Sequence, residues 1–352
     1  MLKKIILIGI FFWAYGSLLA QGQQWSADKA KEWYEKQNWI CGVNYIPANA
    51  INYTEMWDKT GFSPKVIDRE LALAQGIGIN SVRVVLQYAV YEDDPSYFRK
   101  TFERFLSICD KHGIRVIPCF FDDCVFGVNT DPTIGKQPKP LEGWYAWAWS
   151  PSPGYTKVAD EREHDELERY VKDIMQRHKD DPRILFWDLY NEPANTLFQK
   201  EYHFKLLKKV FAWARTIDPS QPITTGIYLP DMEINPFLIE NSDIITFHCY
   251  ANPEYTEQQT LKMLQYGRPV ICTEWMLRTQ NSTIKAIMPR FKELHVGSII
   301  WGLVNGKTQT HLPWGHRPED LPYTGVWQCD IFHGDFTPYD PTEIDLIRQL
   351  TR

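Results

Sequence analysis

The sequence predicts a (β/α)8 barrel, an α/β fold in which strands and helices alternate along one chain. Three observations carry this. Eight short runs are apolar or β-branched and bounded by turn residues, as strands buried on both faces should be. Amphipathic helical patterns separate them. After the first run stands Gly42-Val43-Asn44-Tyr45 and not the Gly-rich phosphate turn usual in a doubly wound open sheet.

The strands are expected at 39–43, 81–86, 115–121, 184–189, 223–227, 244–248, 269–273 and 298–303. Ser63 and Pro64 read as a cap and first-turn proline, followed by Ile67, Leu71 and Ala74 on one face. Phe98, Phe102, Phe105 and Cys109 recur at helical spacing before Gly113. Leu167, Tyr170, Val171, Ile174 and Met175 form another stripe, with Pro182 beyond it. A last helix opens with Asp340, Pro341 and, at the capping-box position, Glu343. No repeat or linker divides the chain, so 21–352 reads as one TIM-barrel domain. Long loops follow strands three and eight. The first runs from Asp122 to about Asp160, and loops of that length in compact domains are usually functional.

Ahead of the domain, Lys3 and Lys4 precede an apolar run ending near Ala20. This reads as an export signal over 1–20, since the run is shorter than the roughly 20 residues of a spanning helix. The chain is therefore expected in the periplasm, on the cell surface or secreted, with no membrane span once processed. The 352 residues are 44% hydrophobic and 23% charged, which excludes a disordered chain. With 38 basic against 44 acidic residues, nucleic acid is a poor partner. Seven cysteines sit mostly in apolar runs without CxxC spacing. They read as free core thiols, with one bridge possible and no zinc site. A monomer is expected.

The polar residues at the strand ends carry the chemistry, because barrel enzymes place their sites on that face. Strand one ends at Asn44, strand two carries Arg83, and strand three runs into Asp122-Asp123. Strand four ends in Tyr190-Asn191-Glu192-Pro193, strand six at His248 and Tyr250, strand seven at Glu274-Trp275, and strand eight at Trp301. Singly, each has an ordinary explanation: a surface carboxylate, an ion-pair partner, a satisfied histidine, a core tryptophan. Jointly, they put two carboxylates across one barrel mouth. Paired carboxylates are the working parts of glycoside hydrolysis, one as proton donor and the other as nucleophile or base.

On these motifs the chain resembles glycoside hydrolases of clan A, near the family 5 cellulases and β-mannanases. The resemblance implies Glu192 as acid/base, Asn191 as the residue binding the sugar 2-hydroxyl, and Glu274 as nucleophile. It implies that Arg83 steadies the nucleophile, that His248 and Tyr250 line the site, and that Trp301 floors the first sugar subsite. It also implies retention of configuration on a β-linked mannan, glucan, xylan or mixed glycan, with no metal and no cofactor. Where many family 5 enzymes carry a histidine after strand three, Phe121-Asp122-Asp123-Cys124 stands here. Arg83 is expected to lower the pKa of Glu274, whose charge helps keep Glu192 protonated. A binding-only barrel and a transglycosylase are the alternatives.

The chain holds 14 Trp, 18 Tyr and 18 Phe. Trp144, Tyr145, Trp147 and Trp149 lie in the first long loop, and Trp314 and Trp327 in the second. They are expected either to stack on sugar or to form a loop core. Asp122, Asp123, Asn305 and Gln309 are the expected partners of sugar hydroxyls.

Overall fold

The computed structural model describes residues 22–352; the expected export segment 1–20 lies outside them. Eight parallel strands form a nearly closed barrel: β1 Cys41–Asn44, β2 Ser81–Val85, β3 Arg115–Cys119, β4 Trp187–Asp188, β5 Ile223–Thr224, β6 Ile245–Cys249, β7 Val270–Trp275 and β8 Gly297–Trp301. Their order is β5-β4-β3-β2-β1-β8-β7-β6. The β5 and β6 edges meet through Ile227, whose N–H donates to the Thr246 carbonyl and whose carbonyl accepts from His248 N–H, both at 2.9 Å. The fourth and fifth strands are shorter than expected. On either side of β4 the ladder continues, through Leu185 N–H to Val116 and Leu189 N–H to Thr224, both 2.8 Å, and Asn191 N–H to Phe121 at 2.7 Å.

Two layers of core follow from the alternation of side chains along the strands. Ile117, Ile271 and Ile299, with Ile40, Leu185, Phe186 and Ile244 just ahead of strands, make a small cluster with Trp25 and Ala30. The helix Ala27–Glu35, capped by the Ser26 hydroxyl, thereby plugs one end of the barrel. The larger cluster packs the strands against the surrounding helices. There the expected stripes are buried: Phe98, Phe102, Phe105 and Cys109 on Pro95–Lys111, and Leu167, Tyr170, Val171, Ile174 and Met175 on His164–His178. Pro64–Gly76 starts after Ser63, but that hydroxyl makes no capping bond. Asp340 does cap the helix Pro341–Thr351, through Thr342 N–H. Glu343 does not complete a capping box. Its carboxylate turns inward to Arg278 at 2.7 Å, a buried pair tying this helix to the segment after β7.

All seven cysteines are buried and free, so the possible bridge does not form. Among the described residues, no helix is long and apolar enough to cross a membrane. The two long loops lie over the C-terminal ends of the strands and pack on each other. Ala146 N–H donates to the Thr308 carbonyl at 2.8 Å, and His316 Nδ1 lies 2.5 Å from the Gly143 carbonyl.

Candidate active site

A single buried cation organises the strand ends. Arg83 is 1% exposed, and its planar fork satisfies four acceptors from three strands, β1, β4 and β7, or their ends. Nη1 donates to Glu274 Oε1 at 2.6 Å and to Asn44 Oδ1 at 2.8 Å. Nη2 donates to Asn191 Oδ1 at 2.7 Å, and Nε to Asp188 Oδ2 at 2.8 Å. Asn44 in turn donates through Nδ2 to the Thr273 carbonyl at 2.8 Å, fixing the chain just before Glu274. Tyr250 O–H donates to the other Glu274 oxygen at 2.9 Å. Both oxygens of Glu274 are thus held.

Two backbone irregularities aim the glutamates. The β6–β7 register shifts between Phe247 and His248, so that His248 pairs with Glu274 and Thr273 is skipped. Such a bulge re-aims a side chain that strict alternation would point elsewhere. Glu192 has φ of +44°, a left-handed conformation rare for a residue with a Cβ. It is held there by Asp123, which accepts from Ala194 N–H at 2.6 Å and Tyr190 O–H at 2.9 Å, with His203 Nδ1 2.5 Å away.

Glu192 Oε1 lies 2.7 Å from His248 Nδ1, while Oε2 accepts from Asn195 Nδ2 at 2.5 Å and from the Cys124 thiol at 3.3 Å. His248 Nδ1 also stands 3.6 Å from Glu274 Oε2. Burial holds the imidazole neutral, its pKa pushed down to about 4. Its Nε2 is buried without a partner against Gly226, where a Cβ would come within 2.9 Å. An orphan lone pair costs less than an orphan N–H, so the proton belongs on Nδ1, directed at Glu192. Ligand oxygens of Glu192 and Glu274 lie within 4.8 Å of each other. Burial raises both carboxyls above the ordinary value. For Glu192, the Cys124 thiol, Arg83 and Asn195 work against it. For Glu274, burial raises the pKa and outweighs the lowering by Arg83 and the Tyr250 hydrogen bond, which corrects the expected net lowering.

Other expected contacts serve the scaffold. Asp122 and Asp123 are fully buried. Asp122 accepts from Asn191 Nδ2 and Trp149 Nε1, both at 2.8 Å, and burial pushes its pKa up to about 6. Gln309 bonds Gly143 N–H and the Leu141 carbonyl, holding one loop to the other. Trp144 lies under the Arg317 guanidinium, 4.3 Å from its ring centre, and 6.5 Å from Trp147. Asn305 donates its backbone N–H to Phe332. Trp327 stacks on Tyr339 at 5.1 Å. Gln309, Trp144 and Trp327 thus make contacts within the loops, while the Asn305 side-chain Oδ1 is buried without a partner. Trp301 is 8% exposed, donates Nε1 to Tyr145 O–H at 3.2 Å, and meets Trp149 at 5.9 Å. Trp314 meets Tyr250 at 5.0 Å and is 44% exposed.

Asp188, Cys124 and Asn195 escaped the sequence reading. Asp188 had a signal: a carboxylate inside the apolar run Leu185-Phe186-Trp187-Asp188-Leu189 needs a buried partner, and Arg83 sits in a similar run. Cys124 and Asn195 had none, since only the folded loops bring them to Glu192.

Two clusters of the described residues could hold a metal ion, Glu192 with His248 and Glu274, and Glu103 with His178 and Asp181. The second is bridged by Arg183, 2.7 Å from both Glu103 and Asp181. In the first, the ligand atoms already bond one another and their neighbours.

Residues 48–327 match the family described as "Glycosyl hydrolases family 2, TIM barrel domain". The match is to family 2 and not to family 5, because the strand-end residues shared in the resemblance constrain the barrel mouth and little else. A β-glucuronidase of Pongo abelii is 26% identical over 188 residues, half of this chain and 24% of its own length. A mannan endo-1,4-β-mannosidase F of Aspergillus clavatus is 28% identical over 121 residues, 34% of this chain and 25% of its own. These aligned stretches span about a quarter of those relatives. The solved exo-β-1,4-mannosidase Op5Man5 from Opitutaceae bacterium strain TAV5 superposes with a TM-score of 0.61 at 17% identity. The match covers 94% of this chain and 62% of that one, a likeness of fold.

Proposed function

Since the chain belongs to the glycosyl hydrolase family 2 TIM-barrel family, we propose that it hydrolyses a β-glycoside by double displacement. The observation that carries this is the approach of Glu192 and Glu274, with carboxylate oxygens within 4.8 Å. Carboxyls about 5–5.5 Å apart suit a covalent intermediate, whereas a single displacement needs room for water, about 6.5–9.5 Å. Glu274, held on both oxygens, attacks the anomeric carbon as the bond to the leaving oxygen breaks and Glu192 gives that oxygen its proton. Water then attacks the same carbon, Glu192 takes its proton, and Glu274 leaves. Arg83 and Tyr250 orient the nucleophile; His248, Asn195 and Cys124 orient the acid. Developing positive charge on the sugar is met by Glu274, so the reaction needs neither metal nor cofactor.

The relatives' names point to a β-linked hexose or hexuronic acid as the sugar released. Tyr145 and Trp149 of the first long loop cover Trp301, which supports a closed sugar pocket and terminal cleavage. In this reading the chain works as an exported monomer within clan A, on a carbohydrate substrate. Two inversions leave the β-anomer as first product. Proton NMR of the anomeric signal in the first minutes, before mutarotation, should show it with any nitrophenyl β-glycoside that is cut. Glu274→Gln should abolish turnover without unfolding. A first-formed α-anomer would overturn the nucleophile assignment.

A further inference from the structure

Beside Glu192 lies a cavity of about 420 Å³, large enough for a small organic group. Glu192, His248 and Tyr250 line it; Glu274, Arg83, Asn191 and Trp301 do not. In a double displacement the proton donor faces the leaving group, while the nucleophile sits under the sugar ring. A cavity that touches the donor and not the nucleophile is therefore on the leaving-group side. This placement rests on the functional reading above.

The wall is chemically one-sided. Leu229, Pro230, Phe247, Met263 and Trp314 supply apolar surface, with Ile227 behind. Most polar groups that reach the cavity are already committed. Asn195 and His248 bond Glu192, Tyr250 O–H bonds Glu274, and Tyr228 O–H donates to the Pro193 carbonyl at 3.2 Å. Gln259, the Tyr255 hydroxyl and Asn195 Oδ1 remain. A second sugar ring would bring several hydroxyls and leave most of them desolvated without partners, which is costly. An apolar group would lose nothing there and would displace water from apolar walls.

We propose that the leaving group is an apolar alcohol or phenol, an aryl or alkyl aglycone, and not a further sugar. The substrate is then a glycoconjugate with a hydrophobic aglycone, cut to free that alcohol. The test uses whichever glycone the enzyme releases from nitrophenyl glycosides. Its β-glycosides of methanol, of 2-phenylethanol and of a second hexose are compared. All three leave as aliphatic alcohols, so differences report mainly the cavity. The phenylethyl glycoside should exceed both others in kcat/KM by roughly tenfold or more, the scale at which apolar pockets discriminate. Leu229→Asp, at a position 43% exposed, should bring the phenylethyl glycoside down to the level of the methyl glycoside. A disaccharide cut as well as the phenylethyl glycoside overturns the proposal.

A second measurement does not need turnover. In protein carrying 13C-methyl methionine, 2-phenylethanol should shift the Met263 resonance, identified by its loss in Met263→Leu, and the free hexose should not. A Met263 signal unmoved by tens of millimolar alcohol also overturns the proposal. Glycosides cut without that shift would leave the hydrolase reading standing alone. A shift with no glycoside cut would sink the hydrolase reading but keep the apolar cavity.

Discussion

Glu192 carries a strained backbone, a raised pKa and three hydrogen-bond partners, and each bears on its work as a proton donor. A general acid typically contributes about 10²–10⁴ in rate. Glu192→Ala should lose that much on alkyl glycosides but far less in the glycosylation of acidic phenols, which leave without help. Equal losses on both, measured by pre-steady-state release, would remove the role. Cys124 offers a finer test. Its thiol bonds the Glu192 carboxylate and lowers its pKa against the larger effect of burial. Cys124→Ala should therefore raise that pKa, and the alkaline limb of the kcat/KM profile should move to higher pH. An unmoved limb would mean that the thiol contact does not tune the acid.

At the scale of elements, the first long loop does more than cover the barrel. Asp122 and Asp123 begin it, and neither reaches solvent. Asp123 anchors the turn carrying Glu192, and Asp122 joins Asn191 to Trp149, whose ring meets Trp301. The loop thus sets the position of site residues on β4 and β8. Trp149→Phe keeps an aromatic ring but removes the indole N–H, leaving the buried Asp122 short of a donor. This should cost about 1–3 kcal/mol, seen as a lower urea midpoint, with kcat/KM falling alongside. Wild-type stability and activity together would show that Asp122 finds another donor. Strand alternation foretold which segments are strands but not the bulge at His248 and Glu274, because an extra residue in a ladder leaves no mark on hydrophobic periodicity.

Across the whole molecule, buried carboxyls set the dependence of stability on pH. Asp330, in the segment after β8, accepts from the Thr310 hydroxyl at 2.8 Å, and burial pushes its pKa up to about 7. Glu70 accepts from Tyr45 O–H at 2.8 Å and is likewise pushed up to about 7, mainly by burial. In the unfolded chain such groups lose their protons near pH 4. Between about pH 4 and 7 the folded state binds more protons, so these groups stabilise it at low pH and cease to as pH rises. His248 and His311, held neutral down to about 4, act oppositely below pH 6.5. A difference measurement separates them. Relative to wild type, Asp330→Asn should gain stability on the order of 2–4 kcal/mol between pH 4 and 7. Chemical denaturation across that range, with no pH-dependent difference, would show that Asp330 is ionised in the folded chain.

The alternation of eight apolar runs with amphipathic helices was enough to determine the barrel, because burial on both faces writes itself into composition one residue at a time. Once the barrel is known, strand ends follow, and with them Asn44, Arg83, Asn191, Glu192, His248, Tyr250, Glu274 and Trp301 as one constellation. Only the tertiary structure showed which polar residues gather around Glu192 and Glu274 and which hold the loops. Asp122, Asp123 and Gln309 looked like sugar contacts because loop carboxylates and amides near a barrel mouth read alike in sequence. Their bonds to Trp149, Ala194 and Gly143 depend on loop paths that no periodicity encodes. The same is true of the sign at Glu274. A neighbouring Arg83 could be foreseen, but the depth of burial that outweighs it belongs to the packed molecule, where desolvation is the sum of every surrounding chain.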